Sequence, residues 1–366
     1  MRFFAQQFRK MLNSTEMSRL ARARTGDKHQ FSQLTEPYRA ELQVHCYRML
    51  GSLEDAEDLV QETFLRAWQS LDKFVKNVSF RAWLYKIATN ACLDAIDKRS
   101  RRALPVMTHP PANPHLPHTP GTEEFLWLEP YPDISLSNVG INPEARYSLR
   151  ETIRLAFIVA LQSLPSRQRA VLLLRDVLGW QAQEVAEHLE ITLPAVNSLL
   201  HRARTTMRKH YHQSSEAEPI DRTPDSTTQR LLDRYVQAWE TADIQALVSL
   251  LKQDATFVMP PSPSWYQGRE AIQIFLAATL FVPQPNQRWK LRPSRANDQP
   301  AFGLYEYDPD EQTFRAAAIQ LLTCQNNHLA DIITFLKPTL FPHFDLPLKF
   351  EADPGHLRPY TGTSAP

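Results

Sequence analysis

The chain has 366 residues, 43% of them hydrophobic, and a formal net charge of +1. This length allows two or three domains, and the hydrophobic content excludes a wholly disordered protein. Three cysteines without metal-ligand spacing predict neither a disulfide framework nor a metal site, which fits a reducing, cytoplasmic compartment. The apolar runs are too short for a membrane span, and we expect no secretory signal and no cofactor.

Composition divides the chain into seven stretches. Residues 1–16 are expected to be a disordered extension, with Met17 as a candidate translation start. Helical patterns occupy residues 17–102 and 147–212, named here the first and second helical blocks. Residues 103–146 contain nine prolines, and up to residue 145 they carry five acids but no Lys or Arg, so an extended linker is expected. A second linker at 213–225 precedes helices and strands at 226–340 and a loosely ordered tail at 341–366.

The first helical block contains one helix with an acidic side and one with a basic end. Around Val60 and Phe64 an apolar face repeats at helical spacing. The other side of this helix carries Asp55, Asp58, Gln61 and Glu62. The next helix ends in four cations within five residues: Lys98, Arg99, Arg101 and Arg102. The helix dipole favours cations at this end, but four exceed that need and suit contact with phosphates.

The run HCYRMLGSLEDAEDLVQETFLRAWQSL, followed by FRAWLYKIATNACLDAIDKRSRR, resembles region 2 of extracytoplasmic-function sigma factors. The resemblance implies that the acidic face binds the clamp helices of the largest subunit of RNA polymerase. It also implies that residues 73–102 recognise and melt the −10 promoter element by capturing an unstacked base. Asn90, Asp94 and the loop 73–79 are the candidates for that pocket. The full set of −10 candidates is Lys73, Arg81, Lys86, Asn90, Asp94, Lys98, Arg99, Arg101 and Arg102.

The second helical block predicts a helix-turn-helix, with helices at 183–189 and 193–211 and a turn at 190–192. Thr192 suits the N-cap of the second helix, and Pro194 suits its first turn. We expect an inward face of Val196, Leu199 or Leu200, Ala203 and Met207. The outward candidates for −35 DNA contact are Pro194, Ala195, Asn197, Ser198, His201, Arg202, Arg204 and Arg208. The first turns suit base edges in the major groove, and the later cations suit phosphates.

The run LPSRQRAVLLLRDVLGWQAQEVAEHLEITLPAVNSLLHRAR resembles sigma region 4, which implies recognition of the −35 element and contact with the flap of the second-largest polymerase subunit. Residues 196–200 lack the Lys and Arg that many relatives carry there. We therefore do not expect this chain to recognise the same promoter sequence as those relatives. In the same family the linker between the two regions threads towards the active site and the RNA-exit path. A spacer without contacts is the alternative for residues 103–146.

Residues 226–340 predict helices followed by an antiparallel sheet, an α+β domain. The stretch resembles the SnoaL-like, ketosteroid-isomerase-like cone, which leaves room for a small-molecule ligand or a partner protein. The polar and aromatic candidates for a site are Asp254, Trp265, Tyr266, Tyr305, Cys324 and Asp331. They show no general base with an oxyanion partner at a diagnostic spacing, so we expect regulation in cis and no enzymatic activity.

The sequence therefore predicts a multidomain protein: a region 2 helical bundle, a region 4 helix-turn-helix and an α+β SnoaL-like cone. Its expected partners are core RNA polymerase and promoter DNA. Two alternatives stay open. One is a ligand-sensing helix-turn-helix regulator that acts without being a sigma subunit, and the other is an isomerase or hydrolase in the cone, tethered to DNA-binding helices.

Overall fold

The computed structural model describes residues 14–74, 79–98, 102–119, 121, 126–136, 149–214, 226–281 and 288–352. The chain separates into two compact units. The N-terminal unit is formed by Met1–Arg102 and Asn138–Tyr211, and the C-terminal unit by Ala103–Ser137 and His212–Pro366. Within the described ranges, no helix is both long and apolar enough to cross a bilayer.

The first helical block is a bundle. Its helices are α1 (Ser14–Arg24), α2 (Lys28–Thr35), α3 (Arg39–Leu50), α4 (Leu53–Gln69) and α5 (Phe80–Lys98). Gly51 ends α3 in the left-handed conformation, and the Ser52 hydroxyl then caps α4 by accepting a bond from the Asp55 N–H. Helix α1 begins at Ser14, so the expected disorder does not extend to residues 14–16. Residues 1–13 lie outside the described ranges.

The second helical block contains α6 (Leu155–Gln162), α7 (Ser166–Leu172) with a π-helical continuation at Leu173–Val177, α8 (Ala182–Leu189) and α9 (Leu193–Ser214). Glu190 turns the chain between α8 and α9 with a φ of 55°. The predicted N-cap is confirmed, because the Thr192 hydroxyl accepts a bond from the Ala195 N–H at 3.4 Å. Val196, Leu200 and Ala203 are buried as predicted, whereas Leu199 stays partly exposed.

The C-terminal unit confirms the predicted α+β architecture. Its helices are α10 (Ser226–Glu240), α11 (Ile244–Ser249) and α12 (Arg269–Thr279). Its strands are β1 (Leu251–Val258), β2 (Trp265–Gln267), β3 (Trp289–Ala296), β4 (Gln299–Asp308), β5 (Thr313–Gln325), β6 (His328–Phe335) and β7 (Lys349–Glu351). The sheet order is β2-β1-β6-β5-β4-β3, with β7 paired to β5. Strands β1 and β6 are parallel, and the other pairs are antiparallel. The helices cover one face, where Tyr235, Trp239, Phe257, Phe275 and Leu322 belong to the core.

Two stretches that we expected to be loosely packed are ordered in their described parts. At the start of the C-terminal tail, Phe341 and Phe344 are buried in a 3₁₀ segment, Pro338–Phe344, and β7 follows it. In the expected linker, Leu104, Trp127, Leu128, Tyr131 and Leu136 are buried in the C-terminal unit. Proline prevents long helices, but it does not prevent an extended chain from burying apolar side chains. Residues 103–136, named here the linker segment, are thus part of the C-terminal unit and not a free spacer.

Candidate nucleic-acid interfaces

The acidic face of α4 is divided between exposed and paired residues. Asp58 and Gln61 are exposed, and Glu62 forms an ion pair of 2.5 Å with Arg66. Leu65 lies on the same stripe, four residues after Gln61 and seven after Asp58, and is 56% exposed. Leu65 was not among the residues predicted from the sequence. It could have been found there, because helical spacing places this large apolar residue on the acidic side of α4.

Asp55 is half-buried and pairs with the other end of the first helical block. Its Oδ2 atom lies 2.5 Å from Nη2 of Arg102, and both side chains are less than one-fifth exposed. Asp55 was predicted to bind polymerase and Arg102 to bind DNA. In the structure their contact fixes the chain after α5 to the start of α4.

The predicted −10 residues do not all share one face of α5. Trp83, Lys86, Asn90 and Asp94 follow one another at intervals of three and four residues, so they form one stripe. All four are at least partly exposed. The Trp83 ring packs 5.1 Å from the Phe74 ring, which leaves one aromatic edge beside the polar stripe.

Arg81 lies on the opposite side of α5, because two residues rotate a helix by about 200°. Its Nε and Nη2 atoms donate to the Glu41 carboxylate on α3, at 2.7–2.9 Å, and its guanidinium lies 4.8 Å above the Tyr85 ring. This bidentate pair joins α3 to α5. The structure therefore assigns Arg81 a role in the bundle and does not place it on the −10 stripe.

The remaining −10 candidates lie at the ends of α5 or outside the described residues. Asp94 accepts a bond from Arg66 at 3.3 Å, which links it to the Glu62 pair. Lys73 and Lys98 are exposed. Arg99, Arg101 and residues 75–78 of the candidate base-capture loop lie outside the described ranges.

Helix α9 presents a polar face between two flanks of arginine. Asn197, Ser198 and His201 are exposed and adjacent on the helix surface, and Pro194 precedes them by one turn. Arg202 and Arg204 are two residues apart and therefore project to opposite flanks of this face. Ala195 is partly exposed, and Arg208 extends the exposed surface by one turn. Side chains suited to base edges lie in the middle, with cations suited to phosphates on both sides.

The flanking arginines have different environments. Arg204 bonds to both oxygens of Asp176, at 2.6 and 2.9 Å, and these bonds raise the pKa of its guanidinium. Arg202 bonds only along its own helix, to the Ser198 hydroxyl at 2.9 Å. Asp176 thus offsets part of the positive charge on one flank.

The two helical blocks pack on each other within the N-terminal unit. Arg169 of α7 is buried and donates to the Met49 carbonyl at the end of α3 and to Gln162 of α6. Lys86 of the −10 stripe pairs with Glu190 of the helix-turn-helix at 3.1 Å. Asp97, near the end of α5, accepts a bond from Ser166 at 3.4 Å. In this arrangement the second block engages one residue of the −10 stripe, Lys86.

A row of rings crosses the contact between the blocks. The His45 ring lies 5.0 Å from the Tyr85 ring, Tyr85 lies 6.0 Å from Trp180, and Trp180 lies 4.8 Å from His188. Burial lowers the pKa of His45 to about 3, and Arg48 adds to this effect. Burial, with Lys86 nearby, also lowers the pKa of His188 to about 3. Both imidazoles are therefore neutral at pH 7.

The half-buried carboxylate of Asp331, on β6, lies on the side of the sheet away from the helices. Thr323 and Thr256 are the strand partners of Asp331, and the Thr256 hydroxyl bonds to its carboxylate at 2.7 Å. The next residues along their strands, Ile332 and Leu322, belong to the helix-side core, so Asp331 faces away from it. Burial raises the pKa of Asp331. A carboxylate on this face is not positioned to act as a base inside the cone.

Three neutral side chains form a chain of hydrogen bonds on the helix side of the sheet. The Tyr235 hydroxyl bonds to Gln320 at 2.9 Å, and Gln320 bonds to Thr334 at 3.4 Å. The other candidates have different roles. Asp254 is exposed, the Trp265 indole donates to the His109 carbonyl, the Tyr305 hydroxyl donates to the Pro347 carbonyl, and Tyr266 and Cys324 pack in or against the core.

Family profiles match the three folded parts of the chain. Residues 34–102 match Sigma-70 region 2, residues 154–207 match Sigma-70 region 4, and residues 232–332 match the SnoaL-like domain. The second match covers the helix-turn-helix, and the third covers the helices and most of the sheet of the C-terminal unit.

Relatives match either most of the chain or about half of it. The chain is 43% identical over 325 residues to the ECF RNA polymerase sigma factor SigG of Mycobacterium tuberculosis, covering 88% of this chain and 85% of that protein. It is 31% identical over 194 residues to the ECF RNA polymerase sigma factor SigW of Bacillus subtilis, covering 52% of this chain and 94% of that protein. The crystal structure of Mycobacterium tuberculosis SigJ shares the fold, with a TM-score of 0.52 at 21% identity, over 87% of this chain and 99% of that one.

Proposed function

Because the chain belongs to the extracytoplasmic-function family of RNA polymerase sigma factors, we propose a division of labour among its surfaces. The protein binds core RNA polymerase and recognises promoter DNA for transcription initiation. Our proposal concerns which residues do so and what the third domain contributes. We also propose that the protein acts in the cytoplasm, where polymerase and promoter DNA meet.

The acidic face of α4 is the proposed contact with the clamp helices of polymerase. Asp58 and Gln61 are its exposed polar members, Glu62 supports them through Arg66, and Leu65 supplies an apolar contact. Interfaces of this kind gain orientation from charge and affinity from an apolar anchor that is buried on binding. Asp55 acts indirectly, because its pair with Arg102 positions the helix.

The stripe of α5 is the proposed −10 surface. Lys86 supplies charge, Asn90 and Asp94 supply hydrogen-bonding groups, and Trp83 supplies an aromatic edge on which an unstacked base can rest. Lys73, Lys98, Arg99 and Arg101 remain proposed phosphate contacts.

The proposal for −35 recognition rests on the side chains that α9 exposes. Asn197, Ser198 and His201 form the face towards the bases, and Arg202, Arg204 and Arg208 contact the phosphates. An Asn side chain can bond to adenine with two hydrogen bonds, worth about 1–3 kcal/mol of discrimination. Replacing Asn197 with alanine should therefore relax the base preference at one position of the −35 element, while Arg202→Ala should weaken all promoters alike.

Regulation in cis is the proposed role of the C-terminal domain. Two features support a role without turnover: the half-buried carboxylate Asp331 faces away from the helix-side core, and the contacts among Tyr235, Gln320 and Thr334 on the helix side join neutral groups. The ion pair between Lys86 and Glu190 is a contact that regulation can act on, since it must open before Lys86 can bind DNA.

Run-off transcription with purified core polymerase tests the whole proposal. The full chain should start RNA at promoters that core polymerase alone does not use. Absence of any new start site, together with tight binding of the free chain to duplex DNA, would favour the helix-turn-helix regulator instead. Turnover of a small molecule that is lost in Tyr235→Phe, but not in Asp331→Asn, would favour an enzyme in the cone.

A further inference from the structure

The linker segment occupies both edges of the C-terminal sheet. At one edge the Ala112 N–H donates to the Trp265 carbonyl of β2 at 2.8 Å, and the Trp265 indole donates to the His109 carbonyl at 2.9 Å. At the other edge Tyr131 exchanges two bonds with Asn297 beside β3, at 2.8 and 2.9 Å. Strands β2 and β3 are the outer strands of the sheet. Exposed edges are the part of a sheet that pairs with further chain.

Two buried acids of the linker segment meet cations of the C-terminal domain. Glu129 accepts a bond from Lys337 at 2.7 Å, and Asp133 lies 3.4 Å from Nε of Arg295. The Asp133 carboxylate also accepts a bond from the Asp298 N–H at 3.0 Å. Both acid side chains are only 7% exposed. Carboxylates lose most of their hydration at such positions, and here cations and an N–H group replace part of it.

Further contacts fill the path between the two edges. The Thr119 carbonyl accepts a bond from Ser262 at 2.8 Å, and a side chain at Gly121 would collide with Pro261. The His118 ring packs 5.8 Å from the Phe275 ring of α12. Backbone bonds, a close glycine contact and buried charge therefore hold the segment along its described length. These features define a docking surface and not incidental contact.

We propose that the C-terminal domain is a docking site for the linker of its own chain and that core polymerase competes with it for that segment. The proposal rests on the proposed function, since it supplies a mechanism for regulation in cis. The linker of the family threads towards the polymerase active site, and Glu129 and Asp133 cannot face polymerase while Lys337 and Arg295 hold them. Docking therefore withholds the linker, and its release favours the polymerase-bound state.

Amide hydrogen exchange on the full-length chain tests the docking, with and without core polymerase. The amides of Ala112, Leu128 and Tyr131 should be protected in the free chain and should lose protection when core polymerase is added. Lys337→Glu should remove the protection around residue 129, and Glu129→Lys combined with Lys337→Glu should restore it. If Lys337→Glu does not fold, Lys337→Gln and Glu129→Gln test the same contact with a smaller perturbation.

The same variants should change the affinity for core polymerase. Variants that weaken docking of the linker segment should bind core polymerase about fivefold more tightly. This is an ordinary size for the coupling between two linked equilibria. Glu306→Gln is the matched control, because it removes an ion pair with Arg288 inside the same domain. Exposed linker amides in the free chain, or protection that polymerase leaves unchanged, would overturn the proposal. A chain with a protected linker that starts no transcription would instead refute the proposed function.

Discussion

The Nη2 atom of Arg102 lies 2.5 Å from Oδ2 of Asp55, which joins the last residue of the first helical block to the first turn of α4. Both residues lie in stretches that resemble functional surfaces of sigma factors. Their pairing makes them part of the scaffold that presents those surfaces. Asp58, one turn further along α4, is exposed and serves as the natural comparison.

We expect Asp55→Asn and Asp58→Asn to have opposite profiles. Asp55→Asn should lower the free energy of unfolding by about 1–3 kcal/mol, between the values for exposed and for buried ion pairs. Asp58→Asn should leave stability unchanged and weaken core polymerase binding by about fivefold, or ~1 kcal/mol. Denaturant unfolding and titration with core polymerase separate the two effects. Equal losses of stability would contradict the assignment.

Leu65→Ser tests the apolar contact on α4. The side chain is 56% exposed, so its removal should change the stability of the free chain by less than ~0.5 kcal/mol. Its burial against polymerase should be worth about 2 kcal/mol, and the variant should bind core polymerase about 30-fold more weakly. Leu348→Ser removes a similarly exposed leucine from the C-terminal unit and should bind normally. Normal binding of Leu65→Ser would remove this residue from the proposed surface.

Asp176→Asn should strengthen promoter binding by releasing Arg204. Asp176 competes with phosphate for Arg204, so its removal should make the slope of log affinity against log salt more negative by up to about 0.9, the value for one full phosphate contact. Binding of the polymerase complex to a promoter fragment, measured over a salt series, reports this slope. Glu187→Gln removes the same charge from an exposed position on α8 without releasing an arginine, and its slope should match that of the parent chain.

Acid should destabilise the N-terminal unit through His45 and His188. Burial lowers both pKa values to about 3, whereas an unfolded imidazole titrates near 6.5. The stability present above pH 6.5 should therefore fall as the pH decreases towards 3, by up to about 1.4 kcal/mol per pH unit for each histidine, because only the unfolded chain takes up the protons. Urea unfolding at several pH values measures this slope. His188→Leu should reduce it, and an unchanged slope would show that His188 is not one of the titrating groups.

Local patterns account for the features that the sequence predicted well. The inward face of α9, its cap at Thr192 and most strands of the C-terminal unit follow from spacing and turn residues within a few positions of each other. The exposed set Asn197, Ser198 and His201 follows from the same periodicity. Leu65 was available to this reasoning too, because its position on the acidic stripe is fixed by counting along one helix.

The sequence by itself determined the three folded parts and the faces of their helices, because helix periodicity, capping and strand alternation act between near neighbours. Only the tertiary structure decided the long-range partners: Glu41 for Arg81, Asp55 for Arg102, and Lys337 for the linker residue Glu129. An acid in a proline-rich stretch has the same local sequence whether it faces solvent or a buried lysine. Its environment depends on a cation 208 residues away, which no local pattern encodes.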